Sequence, residues 1–212
     1  LFGWKFVCDL FGRDGKGLMI ECPDLRDDMG LLMYSEQFYP AEGRKFLNVH
    51  SSLYRFGALD VCKGYRAESD GEIIDYGFDF YAPQTFTQTP VMIGWLDMWD
   101  RANPTKQFGF AGQLTVPRCL TRKGTKLLQR PVYDKKAVRS EENFTTLSDH
   151  LLIGAVKVQA KDLSDFSVHL RKAGENETLF ELKDEEWVFD RSRSGTPISG
   201  AEKDADSLAG IR

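Results

Sequence analysis

The stretch Ile20-Glu21-Cys22-Pro23-Asp24 sets a carboxylate at the end of an apolar run, ahead of a thiol, a proline and a second acid. A Glu there projects from a strand end, where desolvation favours the protonated form and suits general acid work near neutral pH. Cys22 is a small polarizable neighbour, Pro23 fixes the backbone, and Asp24 can accept hydrogen bonds from a cation or a ring hydroxyl. Downstream, Asp75-Tyr76-Gly77-Phe78-Asp79-Phe80-Tyr81-Ala82-Pro83-Gln84-Thr85-Phe86 and Ile93-Gly94-Trp95-Leu96-Asp97-Met98-Trp99 interleave flat rings with acids. An acid inside aromatic walls is the architecture of a site that holds and cuts sugars. Taken singly, each segment also has a plain structural reading: an exposed Glu at a strand end, or a tryptophan-rich core strand with a polar turn.

The elements that must position these groups are strands. Gly17-Leu18-Met19-Ile20-Glu21, Leu31-Leu32-Met33-Tyr34, Val91-Met92-Ile93-Gly94-Trp95 and Gly112-Gln113-Leu114-Thr115-Val116 are short apolar runs between turn residues. Gly12-Arg13-Asp14-Gly15, Ser69-Asp70-Gly71 and Lys123-Gly124 mark turns, and alternation sends Phe78 and Phe80 to one face, Asp79 and Tyr81 to the other. One short helix is expected, over Ser140 to Ser148. The chain reads as all-β, which favours sandwiches, barrels or propellers. Its character changes at the charged segment around Asp134-Lys135-Lys136, beyond which Ala155 to Ala160, Phe166 to Arg171 and Trp187 to Asp190 alternate as in an antiparallel sandwich.

A net charge of −4 and a pI near 5.5 argue against nucleic acid as a partner, which rewards basic surfaces. No apolar run is long enough for a membrane span. Cys8, Cys22, Cys62 and Cys119 are widely spaced, without a CxxC pair or a His at ligand spacing, so neither a zinc site nor a disulfide framework is expected. Asn143-Phe-Thr145 and Asn176-Glu-Thr178 match the glycosylation tripeptide, a pattern common enough by chance to decide nothing.

In combination, the segments resemble glycoside hydrolase family 32, the β-fructofuranosidases. The resemblance lies in Glu21-Cys22-Pro23-Asp24, in Asp79-Phe80-Tyr81-Ala82 with Gln84-Thr85-Phe86, in Ile93-Gly94-Trp95, in Leu114-Thr115-Val116-Pro117-Arg118 and in Arg191-Ser192-Arg193-Ser194-Gly195, in that order. It implies part of a five-bladed β-propeller followed by a β-sandwich: residues 1–133 as later propeller blades, 134–140 as linker, 141–212 as an incomplete sandwich. It further implies Glu21 as general acid/base, with Cys22, Asp24, Asp79, Tyr81 and Trp99 around the fructose and Trp95 in a structural place. The implied substrate is sucrose, sucrose 6-phosphate or another fructose-containing oligosaccharide, and the chemistry asks for no cofactor and no metal. A fructosyltransferase of the same fold and a non-catalytic carbohydrate-binding module are the alternatives.

One departure from the family pattern bears on activity. The family cleaves with retention and needs a second carboxylate as nucleophile, from an Asn-Asp-Pro-Asn-Gly-type motif, with a stabilising Asp from an Arg-Asp-Pro motif. Neither motif occurs in these 212 residues; Asn103-Pro104, the sole Asn-Pro, is followed by Thr105. The expectation is an internal piece of a longer enzyme, inactive alone. The isolated cysteines and the likeness to bacterial members point to the cytoplasm, although an upstream segment could carry an export signal. No feature sets an oligomeric state.

Overall fold

The computed structural model describes residues 3–10, 16–133 and 166–196. The expected turn at Gly12–Gly15, the linker 134–140, the helix over Ser140–Ser148, the strand at Ala155–Ala160 and the Asn143 tripeptide lie outside the described residues. Those described fall into two units that part between Pro131 and Val132.

The first unit holds two antiparallel sheets. One is built from β1 (Met19–Arg26), β2 (Leu31–Gln37), β3 (His50–Asp60) and β4 (Gly64–Ala67), in that spatial order, with β5 (Glu72–Ile73) also paired to β3. The other contains β6 (Phe80–Thr85), β7 (Val91–Leu96), β8 (Gln113–Leu114), β9 (Arg118–Lys123) and β10 (Lys126–Pro131), ordered β10-β9-β7-β6 with β8 on β7. In the second unit, β11 (Ser167–Ala173), β12 (Asn176–Lys183) and β13 (Glu186–Asp190) make a three-stranded antiparallel sheet. The all-β expectation holds; the only helical elements among the described residues are two short 3-10 turns, Asp27–Met29 and Pro104–Phe108.

Strand β2 is buried on both faces from Leu31 to Glu36, and its period of two divides the core. Leu31 and Met33 join Tyr54 and Phe56 of β3 and Phe80, Met92 and Leu120 of the second sheet. Leu32, Tyr34 and Leu53 point the other way, into Tyr39, Phe46 and Tyr65. Leu31, Leu32, Met33 and Leu53 are wholly buried, each stabilising the fold by about 1.5–3 kcal/mol relative to exposure. Cross-strand neighbours share a face. The face that begins with Leu31 opposite Phe56 therefore continues through Ser35, opposite Glu21 and Ser52, to Gln37, opposite His50. Along one face the residues change from apolar to polar, and Glu21 lies at the polar end.

Arg26, buried at the end of β1, ties the two sheets. Its Nη1 donates to the carbonyls of Phe86 (2.8 Å), Thr89 (3.1 Å) and Thr87 (3.2 Å) in the β6–β7 turn, while Asp28 takes Nε and Nη2. The β9–β10 hairpin closes at Gly124, whose φ of 60° in the left-handed region is one that glycine takes without a Cβ clash.

Candidate active site

Glu21 and Tyr81 stand on the two strands that end their sheets, β1 and β6. Both strands bulge immediately afterwards, and in the same way. Register slips between Glu21 and Asp24 on β1 and between Tyr81 and Gln84 on β6. The residue after each site side chain has a positive φ, 49° at Cys22 and 48° at Ala82, and a proline follows each. Such bulges bend an edge strand and re-aim its side chains.

The bulges are stitched to each other and to the core. The Ala82 N–H donates to Ser35 Oγ at 3.0 Å, and Ser35 Oγ lies 2.9 Å from Ser52 Oγ. Gln84 Nε2 donates to the Cys22 carbonyl at 3.0 Å, and the Thr85 N–H donates to Asp24 Oδ2. Between these ties, the Tyr81 hydroxyl donates to Glu21 Oε2 at 2.8 Å, and Gln37 Nε2 donates to the same oxygen at 3.0 Å. Among the described residues no hydrogen bond reaches Glu21 Oε1. Tyr81 is 2% exposed; burial first, then its bond to Glu21, hold its hydroxyl protonated far above the ordinary phenol range. Partial desolvation, and after it the Glu21 carboxylate, push the Cys22 thiol up, so it is held as the weakly nucleophilic neutral form.

Rings surround this pair. Trp99, 47% exposed, meets Tyr81 edge to face at 5.2 Å and lies nearly parallel to the imidazole of His50 at 4.2 Å. Trp95 pairs with Tyr81 across the strands, and its indole runs parallel to that of Trp99 at 6.4 Å. Gly112 (φ 69°) packs so closely on Trp95 that an added Cβ would come within 2.6 Å of the indole nitrogen. Thus Glu21, Tyr81 and Trp99 come together directly. Cys22 is exposed on the bulge, and Asp24 spends one carboxylate oxygen on the β6 backbone. Asp79 forms an ion pair with Arg101, which is 4% exposed and also donates to the Phe78 carbonyl at 2.6 Å. Asp79 and Phe78 precede β6 rather than lying in it, while Phe80 and Tyr81 do part to opposite faces.

Three participants were missing from the sequence reading: Gln37, His50 and Asp100. Gln37 and His50 bracket a loop and meet only through β2–β3 pairing, a long-range relation that no local motif signals. Asp100 directly follows Trp99, and its place beside an aromatic was the one available cue. Among the described residues, no group of three or more His, Cys, Asp or Glu side chains is placed to hold a metal ion.

The family model described as the Glycosyl hydrolases family 32 N-terminal domain matches residues 1–131. The sucrose-6-phosphate hydrolase of Staphylococcus xylosus is 30% identical, over 96% of this chain and 46% of its own length. The sucrose-6-phosphate hydrolase of Escherichia coli is 37% identical, over 65% of this chain and 30% of its own. Among solved structures, the GH32 β-fructofuranosidase of Bombyx mori superposes with a TM-score of 0.68 at 23% identity, over 93% of this chain and 46% of that one. A mutant of that protein in complex with sucrose gives 0.69. These likenesses carry the fold, a β-propeller followed by a β-sandwich. The chain spans less than half the length of each of these relatives.

Proposed function

Because the chain belongs to glycoside hydrolase family 32, we propose that it is the acid/base-bearing part of a longer retaining glycosidase acting on β-D-fructofuranosides such as sucrose or sucrose 6-phosphate. In this reading residues 1–133 are the later blades of the catalytic propeller and 141–212 belong to the sandwich. The relatives named for sucrose 6-phosphate and the neighbour solved with sucrose support the substrate class.

The observation that carries the proposal is the asymmetry of the Glu21 carboxylate. Among the described residues both of its side-chain hydrogen-bond donors, Tyr81 and Gln37, fall on Oε2. An oxygen already accepting two hydrogen bonds is a poor place for a proton, so protonation is directed to Oε1, and the two donors fix the carboxyl plane. In the first step, Oε1–H gives its proton to the glycosidic oxygen as the bond from the fructosyl carbon to that oxygen breaks. A nucleophilic carboxylate from outside this chain bonds to the fructosyl carbon. In the second step Glu21, now ionised, takes a proton from water as the water oxygen displaces the nucleophile. Trp99 supplies a ring surface for the sugar, and Cys22, Asp24 and Asp79 shape the rim.

The test compares the longer enzyme with its Glu21→Gln variant and with this chain alone. We expect the variant to lose between about 100-fold and 10,000-fold in kcat with little change in KM, and the 212-residue chain alone to turn over no sucrose. Turnover by the chain alone, lost in the variant, would place a nucleophile within it. Sugar binding without turnover in the longer protein would make it a binding module.

A further inference from the structure

His50 is the first residue of β3 and is 1% exposed. Its imidazole is held on three sides: Trp99 lies over it at 4.2 Å and 20°, Phe38 meets it edgewise at 4.8 Å, and Tyr81 at 6.0 Å. Its Nε2 is 2.7 Å from Asp100 Oδ2. An ionised carboxylate only accepts, so the hydrogen sits on Nε2 and the imidazole donates. Nδ1 is buried and finds no hydrogen-bond partner among the described residues.

Trp99 and Asp100 are adjacent in a segment that is not a strand. The segment is braced from its own side by Asp97, whose Oδ1 accepts the Met98 N–H at 2.8 Å, and by the Arg101 N–H on the Met98 carbonyl at 3.0 Å. An exposed indole on such a segment keeps rotamer freedom unless something fixes it. His50 fixes it twice, through its ring against the Trp99 indole and through its N–H on the next residue's carboxylate.

We propose that His50 is a positioning residue of the sugar subsite, setting the plane of Trp99 beside Tyr81 so that a fructoside meets a preformed wall. This rests on the reading of Trp99 as a sugar-contacting ring. His50 makes no contact with the reacting atoms; it acts through Trp99 and Asp100.

The experiment uses the longer enzyme, with sucrose as the probe. His50→Phe keeps a flat ring and deletes the donor; His50→Gln keeps a donor and deletes the ring. Each is expected to raise KM by about 2- to 10-fold, the worth of one aromatic contact, with kcat within about twofold, and to weaken the near-UV circular dichroism of the tryptophans. Trp99→Ala raises KM at least as much, and His50→Phe added to it raises KM no further, because the residue it acts through is gone. Should the buried variants fail to fold, Asp100→Ala, at a side chain 41% exposed, carries the same comparison. A KM rise in Trp99→Ala without one in the His50 or Asp100 variants overturns the inference alone. A His50→Phe effect that persists undiminished in the Trp99→Ala background overturns it too. An unchanged KM in Trp99→Ala sinks the reading of Trp99 as a sugar contact, and the inference falls with it.

Discussion

Tyr81 reaches from the edge strand of one sheet to Glu21 on the edge strand of the other, its hydroxyl 2.8 Å from Oε2. The bond exists because two strands carry the same device. Each places its site residue just before a bulge with a positive φ and a proline, as Glu21-Cys22-Pro23-Asp24 and Tyr81-Ala82-Pro83-Gln84. Neither bulge alone would bring a phenol to a carboxylate.

Tyr81→Phe removes this donor and leaves Gln37 as the one donor to Oε2 among the described residues. A hydrogen bond to a charged group contributes about 1.5–3 kcal/mol, so kcat of the longer enzyme should fall by about 10- to 100-fold. The ring and its packing against Trp99 remain, so KM should change little. Steady-state kinetics check this, and a rise in KM with kcat intact would assign Tyr81 to substrate binding.

How much of this was legible in the sequence depends on whether the signal was local. Runs such as Leu31-Leu32-Met33-Tyr34 and Val91 to Trp95 announce β2 and β7 because apolar side chains crowd a short span between turns. Strand β3 is the longest among the described residues, yet its buried residues include His50, Ser51, Ser52 and Arg55, so hydropathy hides it. Glu21, Tyr81 and Trp99 stood out by residue type and neighbours. The partners that hold them, Ser35, Gln37 and His50, are set by β2–β3 register, and register is a tertiary property. The expected strand at Gly112–Val116 shrinks to Gln113–Leu114, because Thr115 uses its hydroxyl as well as its backbone on Gly94.

The Asp79–Arg101 pair gives a second prediction. Arg101 has 1% of its side chain exposed and Asp79 has 33%. Removing one partner of a buried pair takes that share of compensation away from the other charge. Asp79→Ala should therefore cost about 3 kcal/mol of folding stability, the lower end of the range because Asp79 is partly solvated and Phe78 still accepts from Arg101. Denaturant unfolding of this chain measures it. A cost near zero would show that Asp79 is not structural and leave its place at the sugar as its main role.

Ser35 holds the second bulge. Its hydroxyl oxygen accepts the Ala82 N–H at 3.0 Å and shares a hydrogen with Ser52 at 2.9 Å. Ser35→Ala leaves the Ala82 donor unsatisfied at a strained position and should destabilise by about 1–3 kcal/mol. Ser52→Ala should cost less, since Ala82 keeps its acceptor. The double variant should fall short of the sum, because both changes break one shared bond. Additive losses in equilibrium unfolding would show the two serines to be independent.

The buried phenols predict the alkaline limit of stability. Tyr34, Tyr65 and Tyr81 are 1%, 8% and 2% exposed. Burial raises all three above the ordinary phenol value, with the Glu36 charge next for Tyr34, the Glu68 charge next for Tyr65, and the Glu21 bond next for Tyr81. Tyr65 is pushed up to about 12. An unfolded chain releases phenolic protons near pH ~10, while the folded protein still holds these three. Above that pH the unfolded state binds fewer protons than the folded one, so stability falls as pH rises. Their contribution is complete below about pH 10 and is lost on the way up through the folded values, first that of Tyr65. Phenolate absorbance should therefore show these three hydroxyls ionising in a cooperative step that coincides with loss of the β circular dichroism signal. Smooth titration of Tyr34, Tyr65 and Tyr81 near pH ~10, with the fold intact, would show that these hydroxyls are accessible and that Tyr81 does not hold Glu21 as a buried donor.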